Sequence, residues 1–187
     1  MYNGKARAFW PLLFLLVFTD CATKRLAEMH LLEFAAPREV VGDVLRFTLA
    51  YNTGAAFGFA PLGEASRWLF AGVAVVMTAL FFHWYQKAAP HDRQFATALG
   101  LISGGALGNL LDRLRSPRGV VDFIDIGVGD LRFWTFNVAD VGLTVGACLL
   151  AVLLWRRESE ALVAAPVEVR GDVQLLEARI GEARGER

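Results

Sequence analysis

The sequence has few charged residues, few cysteines and no excess of either sign of charge, and each absence excludes a class of protein. Of the 187 residues, 20% are charged and 55% hydrophobic, whereas average domains are about 25% charged and about 45–50% apolar. Lysine plus arginine and aspartate plus glutamate number 19 each, so no bulk charge favours nucleic acid as a partner. The only cysteines, Cys21 and Cys148, fit neither a disulfide framework nor a C-x-x-C metal pair. We predict that both are buried small apolar side chains.

Four long apolar runs predict four transmembrane helices, at about residues 8–29, 67–86, 94–114 and 137–155. The uncharged run Gln94–Leu111 would cover roughly 27 Å at about 1.5 Å per residue, close to the thickness of the hydrocarbon core. The first run resembles a secretory signal, but no small-x-small cleavage site follows it, so we expect a retained span. The residues before Cys21 lack the small side chains of a lipoprotein acceptor box. A count of basic residues at the helix ends does not support an amino terminus in the cytoplasm, so the orientation does not follow from charge alone.

The segments between the spans predict a small β element outside the membrane, at about residues 38–61 and 118–136. Arg46–Tyr51 alternates apolar and polar side chains as a strand does, and Asn52-Thr-Gly54 then marks a turn. Residues 158–187 are charged and poor in aromatics, which indicates a mobile, partly helical tail. We assign both termini, and therefore this tail, to the cytoplasm. The predicted fold is an all-α membrane bundle of four helices with a small β element, forming one domain over residues 1–157.

Glycines recur every fourth residue in the third and fourth predicted spans. They are Gly100, Gly104 and Gly108, followed by Gly142 and Gly146. Small residues at this spacing let transmembrane helices approach closely. The glycines therefore predict a tight bundle that places the polar ends of spans three and four side by side.

Polar side chains concentrate where these spans meet water. Asn109, Asp112 and Arg113 share one helical face, and Asn137 and Asp140 share another. An aspartate at the centre of a spanning helix costs about 2.5–3.5 kcal/mol on insertion scales, so such groups usually face a cavity or a partner. Two carboxylates held close together retain one proton between them, and peptide hydrolysis by an acid pair requires that state. Asp122, which follows Val-Val in the segment between these spans, and Asp140 could form such a pair. Our interpretation is that they are the acids of an intramembrane protease.

Structural roles could explain the same residues. Asn137 could cap the fourth helix, Asp112 could pair locally with Arg113, and Asn52 could belong only to a turn. Asp20 and Lys24, four residues apart, could be an intrahelical ion pair or a strut against the site. Asp125 and Asp130 lie in a turn-rich segment, where we expect them to be solvated.

Five motifs in order resemble the lipoprotein signal peptidase family, also called signal peptidase II. They are Asp20-x-x-Thr-Lys24, Asn52-Thr-Gly-Ala-Ala-Phe-Gly58, Gly104-Gly-Ala-x-Gly-Asn109-x-x-Asp112-Arg113, Val120-Val-Asp122-Phe and Phe136-Asn137-x-Ala-Asp140. The resemblance covers roughly residues 8–157. It implies an aspartic peptidase of the bacterial inner membrane, with four spans and both termini in the cytoplasm. Such an enzyme cleaves prolipoproteins before the cysteine that carries a diacylglyceryl group, near the periplasmic face.

The resemblance also implies roles for individual residues. The catalytic pair is Asp122 and Asp140. The substrate groove is lined by Asn52, Gly54, Asn109, Arg113 and Asn137. The supporting polar residues are Asp20, Lys24 and Asp112. Beyond these roles we expect no cofactor, no metal and no nucleic acid, a monomeric chain, and lipid-modified prolipoproteins and membrane lipid as partners.

Other membrane functions make different demands on the sequence. A rhomboid-type serine protease needs Gly-x-Ser-Gly, but Leu101 stands where the first glycine belongs before Ser103. A zinc site-two protease needs His-Glu-x-x-His, which the sequence lacks. A small transporter or channel remains open, since the same acids could form an ion relay.

Overall fold

A computed structural model describes residues 4–31, 37–54 and 64–164. Its helices are α1 (Gly4–Leu31), α2 (Glu64–Lys87), α3 (Arg93–Arg115) and α4 (Val138–Ala164). Its strands are β1 (Arg38–Val41), β2 (Leu45–Asn52), β3 (Val120–Val128) and β4 (Leu131–Arg132). The predicted segment Ala55–Gly58 and most of the predicted tail lie outside the described residues. The chain divides into two compact units, Met1–Leu153 and Leu154–Arg187, and the described part of the second is the last portion of α4.

All four helices are long and apolar enough to cross a membrane. This confirms the predicted fold class, although α4 continues beyond residue 155 to Ala164. α3 is the central helix, because 72% of its most apolar window is buried, against 17% for α1 and for α2. The side chains of Phe9, Leu99 and Ile102 belong to the core that joins α1 to α3.

Glycines on α3 allow its neighbours to approach closely, as their spacing predicted. A Cβ added at Gly100 would lie 2.8 Å from the carbonyl oxygen of Phe9 on α1. Gly105 lies outside the predicted spacing, but a Cβ there would also meet the backbone of α4, at Ala139, and lie 2.8 Å from the Leu143 side chain. Such separations are shorter than real Cβ contacts, so a larger residue would push the helices apart. The small residues therefore bring the ends of α1, α3 and α4 together.

The four strands form one antiparallel sheet in the order β1-β2-β3-β4. β2 contains the predicted strand Arg46–Tyr51. Its pairing with β3 places Ala50 opposite Asp122 and Asn52 opposite Val120. Phe47 and Phe123, on neighbouring strands, pack with Ala27 and Leu31 of α1. This packing fixes the sheet against the end of α1, and the register brings Asn52 close to Asp122.

Two expectations about the burial of side chains were wrong. Asp125 is buried within β3, where it accepts hydrogen bonds from Arg132 Nε at 2.7 Å and from Thr48 Oγ1 at 3.3 Å. These cross-strand partners compensate the charge, and the sequence motif alone did not reveal them. Cys148 is exposed and Cys21 is half-buried, because an apolar side chain on a spanning helix can face lipid as readily as the core.

Candidate active site

Asn137 connects the two predicted acids. Its side-chain nitrogen Nδ2 donates a hydrogen bond to Asp122 Oδ1 at 2.6 Å, and its backbone N–H donates to Asp140 Oδ2 at 3.2 Å. Asp122 is buried in β3, and Asp140, in the first turn of α4, is half-buried. The acids come from different elements, yet one residue contacts both carboxylates.

Asn137 is also the N-cap of α4, as one alternative predicted. Asp140 N donates to Asn137 Oδ1 at 3.0 Å, while Asn137 N donates to the Asp140 carboxylate. This reciprocal pattern is a capping box, which satisfies N–H groups that have no partner within the helix. The cap uses Oδ1 and leaves Nδ2 available for Asp122. The structural role and the contact with both acids are therefore compatible.

A second asparagine, Asn109 on α3, contacts Asp140 from the other side. Its Nδ2 donates to Asp140 Oδ1 at 2.8 Å, and its Oδ1 accepts from Lys24 Nζ at 2.9 Å. Lys24 also pairs with Asp20 at 2.7 Å, which confirms the predicted intrahelical ion pair. Asp20 Oδ1 in turn accepts from the backbone N–H of Ala139 at 2.8 Å. The strut interpretation also holds, since the pair joins α1 to the start of α4.

Asp112 contacts Lys24 and the start of β3. Its Oδ2 lies 2.8 Å from Lys24 Nζ and accepts from the backbone N–H of Val121 at 3.2 Å. The alternative of a local pair with Arg113 is not the arrangement found for Asp112. Its carboxylate instead anchors β3 one residue before Asp122.

The remaining predicted residues surround the acids. The charges of Asp140 and Asp122 act on the Arg113 guanidinium. Its Nη1 donates a hydrogen bond to the Asn109 carbonyl oxygen at 3.2 Å, and its Cζ lies 5.6 Å from the centre of the Phe70 ring. The Asn52 side chain hydrogen-bonds Asp122 and accepts from Gly54 N at 2.8 Å. Gly54 has φ +103°, so the turn interpretation of this motif also holds. The turn therefore holds the Asn52 amide against the acid.

Burial, and to a smaller extent the nearby charge of Asp140, raise the pKa of Asp122 from 3.8 to about 6. Hydrogen bonds from Asn52 and Asn137, and the charge of Lys24, oppose this shift without cancelling it. A carboxyl group with this pKa keeps its proton far more readily than an ordinary aspartate does. The site can therefore provide a proton donor beside a second carboxylate.

An apolar cavity of about 280 Å³ opens beside Asp140. Its other lining residues are Phe133, Phe136, Val141, Thr144 and Val145, of which only Phe136 belongs to a motif quoted above. Helical spacing from Asp140 could have indicated the last two, at i+4 and i+5. An acid that borders an apolar cavity on a membrane helix can act on a bond carried by a lipid-like molecule.

The family model for signal peptidase (SPase) II matches residues 12–156. The chain belongs to the signal peptidase II family. It is therefore a protease, and its four apolar helices make it a multi-pass bacterial membrane protein. The match covers every element that contributes to the site.

Individual relatives agree with this membership. A lipoprotein signal peptidase of Coxiella burnetii (strain Dugway 5J108-111) is 39% identical over 160 residues, covering 82% of this chain and 95% of the relative. One from Pseudomonas putida KT2440 is 41% identical over 155 residues, covering 82% and 89%. A solved bacterial membrane enzyme structure at 2.3 Å resolution is similar with TM-score 0.70 and 28% identity, covering 85% of this chain and 92% of that one. A second, at 1.9 Å, has TM-score 0.67 and 29% identity, covering 76% and 89%.

Proposed function

We propose that this signal peptidase II hydrolyses prolipoproteins on the N-terminal side of the diacylglyceryl-modified cysteine, with Asp122 and Asp140 activating water. The observation that carries the proposal is the contact of Asn137 with both carboxylates, at 2.6 Å and 3.2 Å, beside an apolar cavity that Asp140 itself lines. The names of the relatives, lipoprotein signal peptidase, support the same substrate class.

The two acids divide the chemistry. The ionised carboxylate removes a proton from water, and the resulting hydroxide attacks the scissile carbonyl carbon. The protonated carboxyl group donates its proton to the carbonyl oxygen as the hydroxide adds, which gives a tetrahedral diol. The acid that took the water proton then passes it to the leaving amine as the C–N bond breaks, and a hydroxyl proton of the diol returns to the other acid, which restores the starting state. The raised pKa of Asp122 suits it to be the proton donor. The donors on Asn109 and Asn137 hold the carboxylates in place and reduce their mutual repulsion.

The residues around the acids suit a lipid-bearing peptide. Arg113, Asn52, Gly54, Asn109 and Asn137 would line the substrate groove, where their polar groups orient the peptide backbone. The cavity formed by Phe133, Phe136, Val141, Thr144 and Val145 would accept an apolar chain. Because this cavity borders a membrane-spanning helix, a diacylated substrate would enter it laterally from the bilayer. This chemistry needs neither a cofactor nor a metal.

The proposal includes a location. The enzyme would lie in the bacterial inner membrane as a monomer, with both termini in the cytoplasm and the acids near the periplasmic face. Since the basic residues do not decide the orientation, cysteine labelling from either side of the membrane is the direct measurement.

The proposal is tested with purified enzyme on a diacylglyceryl-modified precursor peptide and on the same peptide without the lipid. We expect cleavage of the modified peptide only, at the bond preceding the modified cysteine. Asp122→Asn and Asp140→Asn should remain folded and lose cleavage, whereas Asp130→Asn, in the exposed turn between β3 and β4, should cleave normally. Ion flux without cleavage would favour a transporter or channel and overturn the proposal.

A further inference from the structure

Lys24 is a buried cation with three oxygen partners on two helices. Its side chain is 3% exposed, and Nζ lies 2.7 Å from Asp20 Oδ2, 2.8 Å from Asp112 Oδ2 and 2.9 Å from Asn109 Oδ1. A lysine ammonium has three N–H donors and no acceptor. Oxygen atoms of three residues therefore surround the ammonium, and a neighbour that presented an N–H group to it would be repelled.

This requirement fixes the orientation of the Asn109 amide. With Oδ1 facing Lys24, Nδ2 faces the opposite way and donates to Asp140 Oδ1 at 2.8 Å. A reversed amide would place its N–H groups against the ammonium and its oxygen against the carboxylate. Both contacts are repulsive, and in a buried site neither is relieved by water. Lys24 therefore makes Asn109 a hydrogen-bond donor to Asp140.

The orientation of the Asn109 amide also constrains the amide of Asn137. Its Nδ2 lies 3.1 Å from Asn109 Oδ1, the atom that Lys24 holds, and 2.6 Å from Asp122 Oδ1. Both neighbours are acceptors, so the atom between them must be the amide nitrogen. Its oxygen accepts the backbone N–H of Asp140 on the other side. Each acid thus receives a side-chain donor from these two asparagines, and both of these donors depend on the amide that faces Lys24; Asn52 contacts Asp122 separately.

We propose that Lys24 is a positioning residue for the reaction: it orients Asn109, and through it Asn137, so that each catalytic acid receives an N–H donor. The inference rests on the proposed function of the two aspartates. It differs from a purely structural role, in which Lys24 would only neutralise Asp20 and Asp112. The two roles make different predictions, because positioning acts through Asn109 and neutralisation does not.

A double-mutant cycle separates the two roles. We expect Lys24→Met to lower kcat about a hundredfold, as loss of one preorganised donor does, while KM changes less than about threefold. Asn109→Ala should lower kcat similarly, and the double variant should be no more than about threefold worse than Asn109→Ala alone. Multiplied losses in the double variant, or a folded Lys24→Met with nearly normal kcat, would overturn the inference.

Three further variants complete the test: one guards against misfolding of Lys24→Met, and two serve as references. Lys24→Met combined with Asp20→Asn keeps the net charge of the Asp20, Lys24 and Asp112 cluster, and it replaces Lys24→Met in the cycle if the single variant does not fold. Asp20→Asn alone is its reference. Glu28→Gln is the matched control on the same face of α1, since Glu28 contacts Arg118 at 3.2 Å and Tyr51 Oη at 3.2 Å but not the acids. We expect Glu28→Gln to lower stability and leave kcat within about twofold.

The outcome also separates this inference from the proposed function. If the wild type cleaves the diacylated peptide and Asp122→Asn and Asp140→Asn do not, the acid pair stands whatever Lys24 does. Additive losses in the cycle would then remove only the positioning role. Absence of cleavage by the folded wild type would instead remove the proposed function itself.

Discussion

The pKa of Asp122 predicts how the stability of the fold depends on pH. Burial and the charge of Asp140 raise this pKa from 3.8 to about 6. The folded protein therefore binds this proton more tightly than the unfolded chain does. By linkage, the free energy of unfolding falls as pH rises from about 4 to about 6 and is then constant with respect to this group. Below about pH 4 the Asp122 carboxyl group is protonated in both the folded and the unfolded state. Its burial then costs no free energy of ionisation.

The expected loss follows from the size of the shift. One pKa unit corresponds to 1.36 kcal/mol, so a shift of roughly two units predicts a loss of about 3 kcal/mol across this interval. Asp122 is 3% exposed, and solvent screening should reduce this figure little. Asp140, Lys24 and Arg113 also face Asp122 from the three surrounding helices, and all three are present in both variants compared below.

The assay compares the wild type with Asp122→Asn by denaturant titration in detergent at pH 4.5 and pH 7.5, followed by circular dichroism. The asparagine keeps an oxygen that can accept from Asn137 Nδ2 but has no charge to bury. We expect it to exceed the wild type in stability by about 2–3 kcal/mol at the higher pH and by much less at the lower. Asp130→Asn should follow the wild type. Equal pH dependence in the wild type and Asp122→Asn would refute the reasoning.

Two other predictions concern the packing that positions the site. Lys5 Nζ donates to the carbonyl oxygens of Tyr85, Gln86 and Ala88 at 3.0, 3.0 and 2.6 Å, so Lys5→Met should destabilise the protein by about 1–3 kcal/mol. Lys5→Arg should restore most of the lost stability. If Lys5→Met were as stable as the wild type, Lys5 would not stabilise the C-terminal end of α2 through these hydrogen bonds. Gly105→Ala should cost about 1–3 kcal/mol and reduce cleavage, because its Cβ would displace α4 next to Asp140. The matched control is Gly72→Ala, whose Cβ would have no described atom within 4 Å; equal effects at both positions would contradict the close approach.

Hydropathy and spacing predicted the helices well, because a spanning helix needs a long apolar run and a close helix pair needs small residues. The alternating pattern of Arg46–Tyr51 likewise predicted β2. The ion pair of Asp20 and Lys24 followed from the i, i+4 spacing on a single helix. Each of these features depends on residues that are near one another in the sequence.

Contacts between distant segments could not be predicted in the same way. The burial of Asp125 depends on partners from β2 and β4, and the second partner of Lys24, Asp112, comes from α3. The apolar cavity beside Asp140 combines residues before α4 with residues within it. The motifs named the polar residues of the site, but only the fold shows which atoms of Asn109 and Asn137 face the acids.

The most direct test of the account is the rate of cleavage of the diacylated precursor by Asp122→Asn, Asp140→Asn and the double variant. Since the acids act as one unit, we expect each single variant to lose about a thousandfold or more in kcat, and the double variant to lose no more than either. Circular dichroism should show that all three remain folded. A folded single variant that retains more than about a tenth of the wild-type rate would contradict the pairing of Asp122 and Asp140.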